Sequence, residues 1–194
     1  MSNARLVIPS PEHLAAYVAA LNRGWSPDNL RPEAAKDQLA AIAANADGFL
    51  GRLVDREARG GPVTLPDGSQ VRRLPGYVLW IVDDELCGSI GLRWVPGSPE
   101  LPPHVLGHIG YAVFPWKRRC GHATRALGLM LREARREGLE EVIITTDPDN
   151  VASQRVIEAN GGRDPEAFVR GPQYGNTPAL RYRVRTPSLE TAGG

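Results

Sequence analysis

Arg118, Gly121 and Ala123 stand at the spacing Arg-x-x-Gly-x-Ala inside the run GHIGYAVFPWKRRCGHATRAL, residues 107–127. Small residues let a main chain close tightly around an anion, and a helix beginning there offers its first N–H groups without intrahelical partners. Lys117, Arg118 and Arg119 place three cations in a row beside that turn. A diphosphate would use both the cations and the N–H groups. An alternating pattern before the turn and an amphipathic one after it place the motif between a strand and a helix.

Three further groups could do chemistry. In DPDNVASQRVIEANGG, residues 147–162, Asn150 and Ser153 open an apolar helix, where they serve equally as caps or as ligand contacts. His108 lies on an alternating strand that puts His108, Gly110 and Ala112 on one face and Ile109, Tyr111 and Val113 on the other. An imidazole with an ordinary pKa near 6.5 can take a proton from an ammonium, although a lone strand histidine is often structural. Tyr174 and Tyr182 could supply a phenolic proton, and Tyr182 in RYRV also reads as a core strand residue. Within the turn, His122 offers its backbone N–H, and Cys120 reads as a small turn residue whose thiol a helix N-terminus could sensitise to oxidation. Cys87 and Cys120 form no CxxC pair and no histidine stands at ligand spacing, so neither a disulfide framework nor a metal site is expected.

The 194 residues are long enough for one self-supporting domain. Lys plus Arg number 23 against 22 Asp plus Glu, a balance that gives no reason to expect nucleic acid or an anionic membrane as partner. The positive charge is local: Arg125, Arg132, Arg135 and Arg136 follow the basic turn and are either a pocket rim or a solvated helix face. Pro9, Pro11 and Glu12 break the first twenty residues, which excludes an ordinary signal peptide, and no apolar run is long enough to span a membrane. A cytoplasmic protein is expected, with one domain over 1–187 and a frayed tail over 188–194.

Hydrophobic periodicity and turn chemistry predict the elements that must position these groups. A first strand covers 4–8, and helices run over 11–23 and 32–44, with a further turn or two at 47–57. LPDGS, 65–69, reads as a hairpin tip between PVTL and QVRRL or as a mobile loop, and 45–75 looks like an insertion. A hairpin joins 77–82 to 86–94, and a strand at 107–114 leads into the long helix. That helix buries Ala126, Leu127, Met130, Leu131 and Ala134, and Gly138 stops it. A strand at 141–147, a helix at 150–160 and a last strand at 180–184 complete the chain.

The Arg-x-x-Gly-x-Ala spacing, the Asn-x-x-Ser segment and this order of elements resemble the GNAT acetyltransferases over most of the chain. The Gly-His-Ile-Gly-Tyr string is similar to a branch of small acetyltransferases of that superfamily. The resemblance implies an α+β fold in α/β/α layers, with a mixed, mostly antiparallel central sheet splayed between its fourth and fifth strands. It implies acetyl-CoA as cosubstrate, with its diphosphate on Arg118, Arg119, Cys120, Gly121, His122, Ala123 and Thr124. Its pantetheine arm would lie along Tyr111, Ala112 and Val113 and against Asn150 and Ser153, with the N–H near Val113 polarising the thioester. The implied reaction is direct attack by a primary amine of a small molecule or peptide, with His108 as base and Tyr174 or Tyr182 as acid. Many relatives carry a tyrosine seven residues after the asparagine, where this chain has Ile157. That departure keeps a second expectation open, a non-catalytic acyl-CoA-binding sensor. A homodimer is common among such proteins. Trp25, Asp84, Glu85, Arg93 and Tyr174 are candidates to line the acceptor pocket.

Overall fold

The computed structural model describes residues 2–65 and 67–188. The expected tail therefore lies outside the described residues beyond its first position. Strand β1 (Arg5–Val7) leads to α1 (Pro11–Asn22), which Pro11 opens at a position where a missing N–H costs nothing. Helices α2 (Ala34–Ala44) and α3 (Ala46–Arg52) follow, α3 capped by Asn45, whose Oδ1 accepts the Gly48 N–H at 2.8 Å. The short β2 (Val54–Asp55) precedes β3 (Val63–Thr64) and β4 (Gln70–Val71), which pair across the Asp-Gly turn as the sequence suggests.

The central strands are β5 (Gly76–Val82), β6 (Leu86–Arg93) and β7 (Ile109–Val113), followed by α4 (His122–Arg136), β8 (Glu141–Thr146), α5 (Val151–Glu158), β9 (Arg163–Val169) and β10 (Pro178–Arg185). Strand β9 is absent from the sequence expectation. Its residues are exposed but for one, it lies at a sheet edge, and Pro165 interrupts any alternation, so neither hydrophobic period nor β-propensity marks it.

One sheet runs β1-β5-β6-β7, with β2 also on β5, and a second runs β8-β10-β9; their ladders are antiparallel. With the short β2 to β4 set aside, the division falls between the fourth and fifth strands, β7 and β8. The two faces are packed differently. On one, Ala126, Leu127, Met130 and Ala134 of α4 are wholly buried against the sheet. On the other, α1 to α3 cover an aromatic cluster in which Tyr17 stacks on Trp80 at 4.8 Å and Trp25 meets Phe114 edge-on at 4.7 Å. Trp25 is thus packing, not pocket lining.

Among the described residues, the two sheets are hydrogen-bonded to each other at one end, through His108 and Ile143. The His108 N–H donates to the Ile143 carbonyl at 2.8 Å, and the Ile143 N–H donates to His108 Nδ1 at 2.9 Å. Gly107 makes this approach possible, since a Cβ there would lie 2.9 Å from the Ile143 oxygen. Gly107→Ala should therefore destabilise the fold by about 1 to 3 kcal/mol, the usual cost of forcing atoms into a packed joint. Chemical denaturation checks this, and an unchanged midpoint would show that the joint tolerates separation.

Candidate functional site

The turn before α4 has the geometry of an anion cradle. Arg119 and Gly121 both adopt left-handed conformations, with φ of 62° and 80°, on either side of Cys120. Such reversals turn successive N–H groups toward one concave side. From Arg118 to Thr124 no main-chain N–H donates a hydrogen bond among the described residues, whereas the Gly121 carbonyl already accepts from Arg125. The helix dipole adds partial positive charge at the same place. Arg118, Arg119, Cys120 and Gly121 are exposed, and Ala123 and Thr124 are half-buried. His122 differs: its ring is buried, with Nδ1 2.9 Å from Ser2 Oγ and 3.5 Å from Asp83 Oδ2. Only its backbone faces an incoming anion.

The opened edge of β7 continues from this cradle. Phe114 donates its N–H to Cys87 on β6, so by alternation Ile109, Tyr111 and Val113 turn their main-chain groups toward the gap. Two of the carbonyls there take side-chain donors in place of a strand: Asn29 Nδ2 on Tyr111 at 3.1 Å and Arg118 Nε on Val113 at 3.3 Å. The N–H groups of Tyr111 and Val113 have no partner among the described residues. A ligand with peptide-like amides can pair with such an edge as an added strand would.

Across the gap, Asn150 caps α5 by accepting the Ser153 N–H at 3.1 Å, which leaves its amide N–H groups for a ligand. Ser153 Oγ lies 2.8 Å from the Tyr111 hydroxyl. Both residues line a cavity of about 420 Å³ that also reaches Asp28, Arg93, Tyr174 and Gly110. Burial pushes the Tyr111 phenol up to about 12, against the Ser153 hydrogen bond that lowers it. The phenol therefore stays protonated at neutral pH. The hydroxyl of Tyr111 as a chemical group escaped the sequence reading, which used only its backbone; the signal was a phenol on the strand that leads into the basic turn.

Of the residues expected to move protons, His108 and Tyr182 sit outside this cavity. His108 is fully buried, and its Nδ1 lone pair is taken by the Ile143 N–H. The ring is thereby fixed as the neutral tautomer with its proton on Nε2, an atom without a partner among the described residues. Burial first, then the nearby Arg93 and Arg183 charges, lower its pKa to about 4, with Glu141 opposing. No free lone pair remains to accept a proton, so this geometry corrects the expectation of a base. Tyr182 is 1 % exposed in the core, its hydroxyl 3.5 Å from Glu158. It packs in the core. Tyr174 does line the cavity, but its hydroxyl donates to the His104 carbonyl at 2.8 Å. Ile157 is wholly buried beneath α5. Among the other acceptor candidates, Arg93 reaches the cavity, while Glu85 pairs with Lys117 at the β5–β6 turn.

The sequence matches the family model described as Acetyltransferase (GNAT) domain over residues 5–163. The chain belongs to the GNAT acetyltransferase family. No curated protein matches it significantly. Among solved structures it is similar to the microcin C7 self-immunity acetyltransferase MccE in complex with acetyl-CoA and AMP, at a TM-score of 0.58 and 12 % identity over 94 % of this chain and 92 % of that one. It is also similar to RimL, a ribosomal L7/L12 α-N-protein acetyltransferase in complex with coenzyme A, at 0.58 and 15 % over 94 % and 93 %. An acetyltransferase from Agrobacterium tumefaciens strain C58 follows at 0.52 and 19 % over 95 % and 92 %. At these identities the likeness speaks to the fold.

Proposed function

We propose that the chain transfers the acetyl group of acetyl-CoA to a primary amine by direct attack of the amine on the thioester. The observation that carries this is the continuity of two unsatisfied surfaces: free N–H groups of the 118–124 turn, then free N–H groups of Tyr111 and Val113 along the opened edge of β7. The first fits a diphosphate and the second a pantetheine arm with its amides. The Val113 N–H would polarise the thioester carbonyl and stabilise the oxygen as charge develops on it. Ordering the amine against the thioester supplies the remainder of the rate gain.

Proton movement is assigned to the cavity residues. Asp28 holds one carboxylate oxygen in the turn by accepting the Leu30 and Arg31 N–H groups at 2.9 and 3.2 Å, and forms no ion pair among the described residues. Its second oxygen would receive the acceptor's ammonium. The Tyr111–Ser153 hydroxyl pair would return a proton to the departing thiolate, the part that Ile157 cannot play. This pair favours a catalyst over the sensor expectation, because it sets two hydroxyl groups in contact at the cavity where the thiolate would leave.

Release of free CoA thiol from acetyl-CoA over a panel of primary amines tests the function. Amine-dependent release with mass-detected N-acetyl product is expected, and tight acetyl-CoA binding without release for any amine would establish the sensor instead. Tyr111→Phe keeps the ring and removes the hydroxyl. It should lower kcat at saturating acetyl-CoA by about 10²-fold, the lower range for a lost general acid, with little change in the KM for acetyl-CoA. An unchanged kcat would leave water as the proton donor.

A further inference from the structure

On β6, Ser89, Gly91 and Arg93 share the face turned into the cavity, while Ile90 and Leu92 point into the opposite core. Gly91 stands opposite Gly110 on β7, so the sheet is bare at this point. Arg93 fills the space above it: its Nη2 lies 3.5 Å from where a Cβ on Gly110 would be. The guanidinium thus lies across the cavity floor beside β7, on the strand whose next residue, Tyr111, borders the gap.

Three arginines line the cavity, and two of them are neutralised. Arg31 pairs with Glu33 and Asp37, and the buried Arg170 pairs with Asp147. Arg93 has no hydrogen-bonding side-chain partner and no ion pair among the described residues. Arg93 lines the cavity yet stays open to solvent, so its charge is retained, and Asp28 is the carboxylate that acts on it, from beyond ion-pair distance. A guanidinium kept charged, planar and unpaired in a cleft is a receptor for a carboxylate, which it can bind through two parallel hydrogen bonds. Asp28 faces the same cavity with the opposite charge. A site of about 420 Å³ that must also admit the thioester end of the cosubstrate leaves room for a compact acceptor.

Resting on the acetyltransferase function proposed above, we propose that Arg93 binds a carboxylate of the acceptor, which is an amino acid carrying its reactive amine and its carboxylate close together. Asp28 takes the ammonium end and Arg93 the carboxylate end, so that the amine is held at the opened edge of β7. The transfer joins the amine nitrogen to the acetyl carbon and breaks the carbon–sulfur bond; of the two protons the nitrogen loses, one passes to Asp28 and on to solvent, and the second replaces the one that the thiolate takes from Tyr111–Ser153.

The test compares each standard L-amino acid, and β-alanine, with its own carboxamide, in wild type, Arg93→Gln and Arg93→Lys. CoA release gives kcat/KM, and calorimetric titration of the same compounds into the protein saturated with CoA gives binding without turnover. Wild type should prefer the carboxylate over the carboxamide of at least one compound by about 10- to 100-fold, the range of a charge-assisted hydrogen bond. Arg93→Gln should collapse that ratio toward one through KM, Arg93→Lys should restore part of it, and acetyl-CoA affinity should stay as in wild type. If carboxamides or other neutral amines are acetylated as well as the carboxylates, or the ratio survives in Arg93→Gln, the assignment of Arg93 is overturned and the acetyltransferase function stands. If carboxylates bind in an Arg93-dependent way and no amine releases CoA, the receptor stands and the transferase function falls. If carboxylates neither bind nor react, the assignment of Arg93 falls on the titration alone.

Discussion

Thr124→Glu should yield a folded protein, melting at or above the wild-type temperature, that no longer binds acetyl-CoA at concentrations that saturate the wild type. Thr124 is the third residue of α4, whose first N–H groups are unsatisfied. A glutamate at that position complements the helix dipole and stabilises a helix start by about 0.3 to 1 kcal/mol. The same carboxylate would stand among the N–H groups that we assign to the diphosphate, and like charges in contact, even near a protein surface, cost several times what the dipole returns. Stability and binding therefore move in opposite directions, which a merely damaged loop cannot produce. Substitution of Gly121 is less informative, because its φ of 80° strains any side chain regardless of ligand. Thermal melting with isothermal titration of acetyl-CoA checks both halves. Wild-type affinity in Thr124→Glu would remove the cradle from the account.

His108→Ala should cost about 2 to 5 kcal/mol of folding stability, combining the cavity left by a buried ring with the loss of the acceptor for the Ile143 N–H. The imidazole there stands in for the carbonyl of a strand that is not present. It closes the sheet at one end while leaving the rest of β7 and β8 apart. Asparagine can offer an oxygen to the same N–H, so His108→Asn should recover part of the loss. The pH dependence has a definite sign. The folded pKa, about 4, lies below the unfolded value of 6.5, so the native state binds fewer protons than the unfolded state between them. The contribution of this group is fully present above pH 6.5 and is lost as pH falls toward 4, by about 3 kcal/mol at most. Denaturation midpoints measured from pH 8 to pH 4 should show that slope in wild type and lack it in His108→Asn. A His108→Ala protein as stable as wild type, with the acid limb of its rate profile gone, would return the histidine to the role of base.

Much of the architecture was legible because it rests on local signals. The α4 stripe of Ala126, Leu127, Met130 and Leu131, the Asp-Gly turn between β3 and β4, and the proline opening α1 each carry their own periodicity or turn chemistry. The turn before α4 was legible for the same reason, since Arg118 to Ala123 are adjacent in sequence. Strand β9 was not, because an exposed edge strand without alternation needs only a partner, and β10 supplies it from outside the segment. The proton-handling groups failed in the same way. Alternation placed His108 on a face but could not say that Ile143, 35 residues away, would take its lone pair. The pairing of Tyr111 with Ser153 across 42 residues was equally beyond a reading of either segment alone. Residue type and spacing show what a side chain can do; its partners across the fold decide which part remains free to do it.

A crystal structure of the protein with acetyl-CoA tests the central claim most directly. The diphosphate oxygens are expected within hydrogen-bond distance of the N–H groups of the 119–124 turn, with the pantetheine amides paired to the opened edge of β7 and the thioester carbonyl on the Val113 N–H. A cosubstrate seated elsewhere, or a β7–β8 ladder closed along its whole length with no room for the pantetheine arm, would contradict the account.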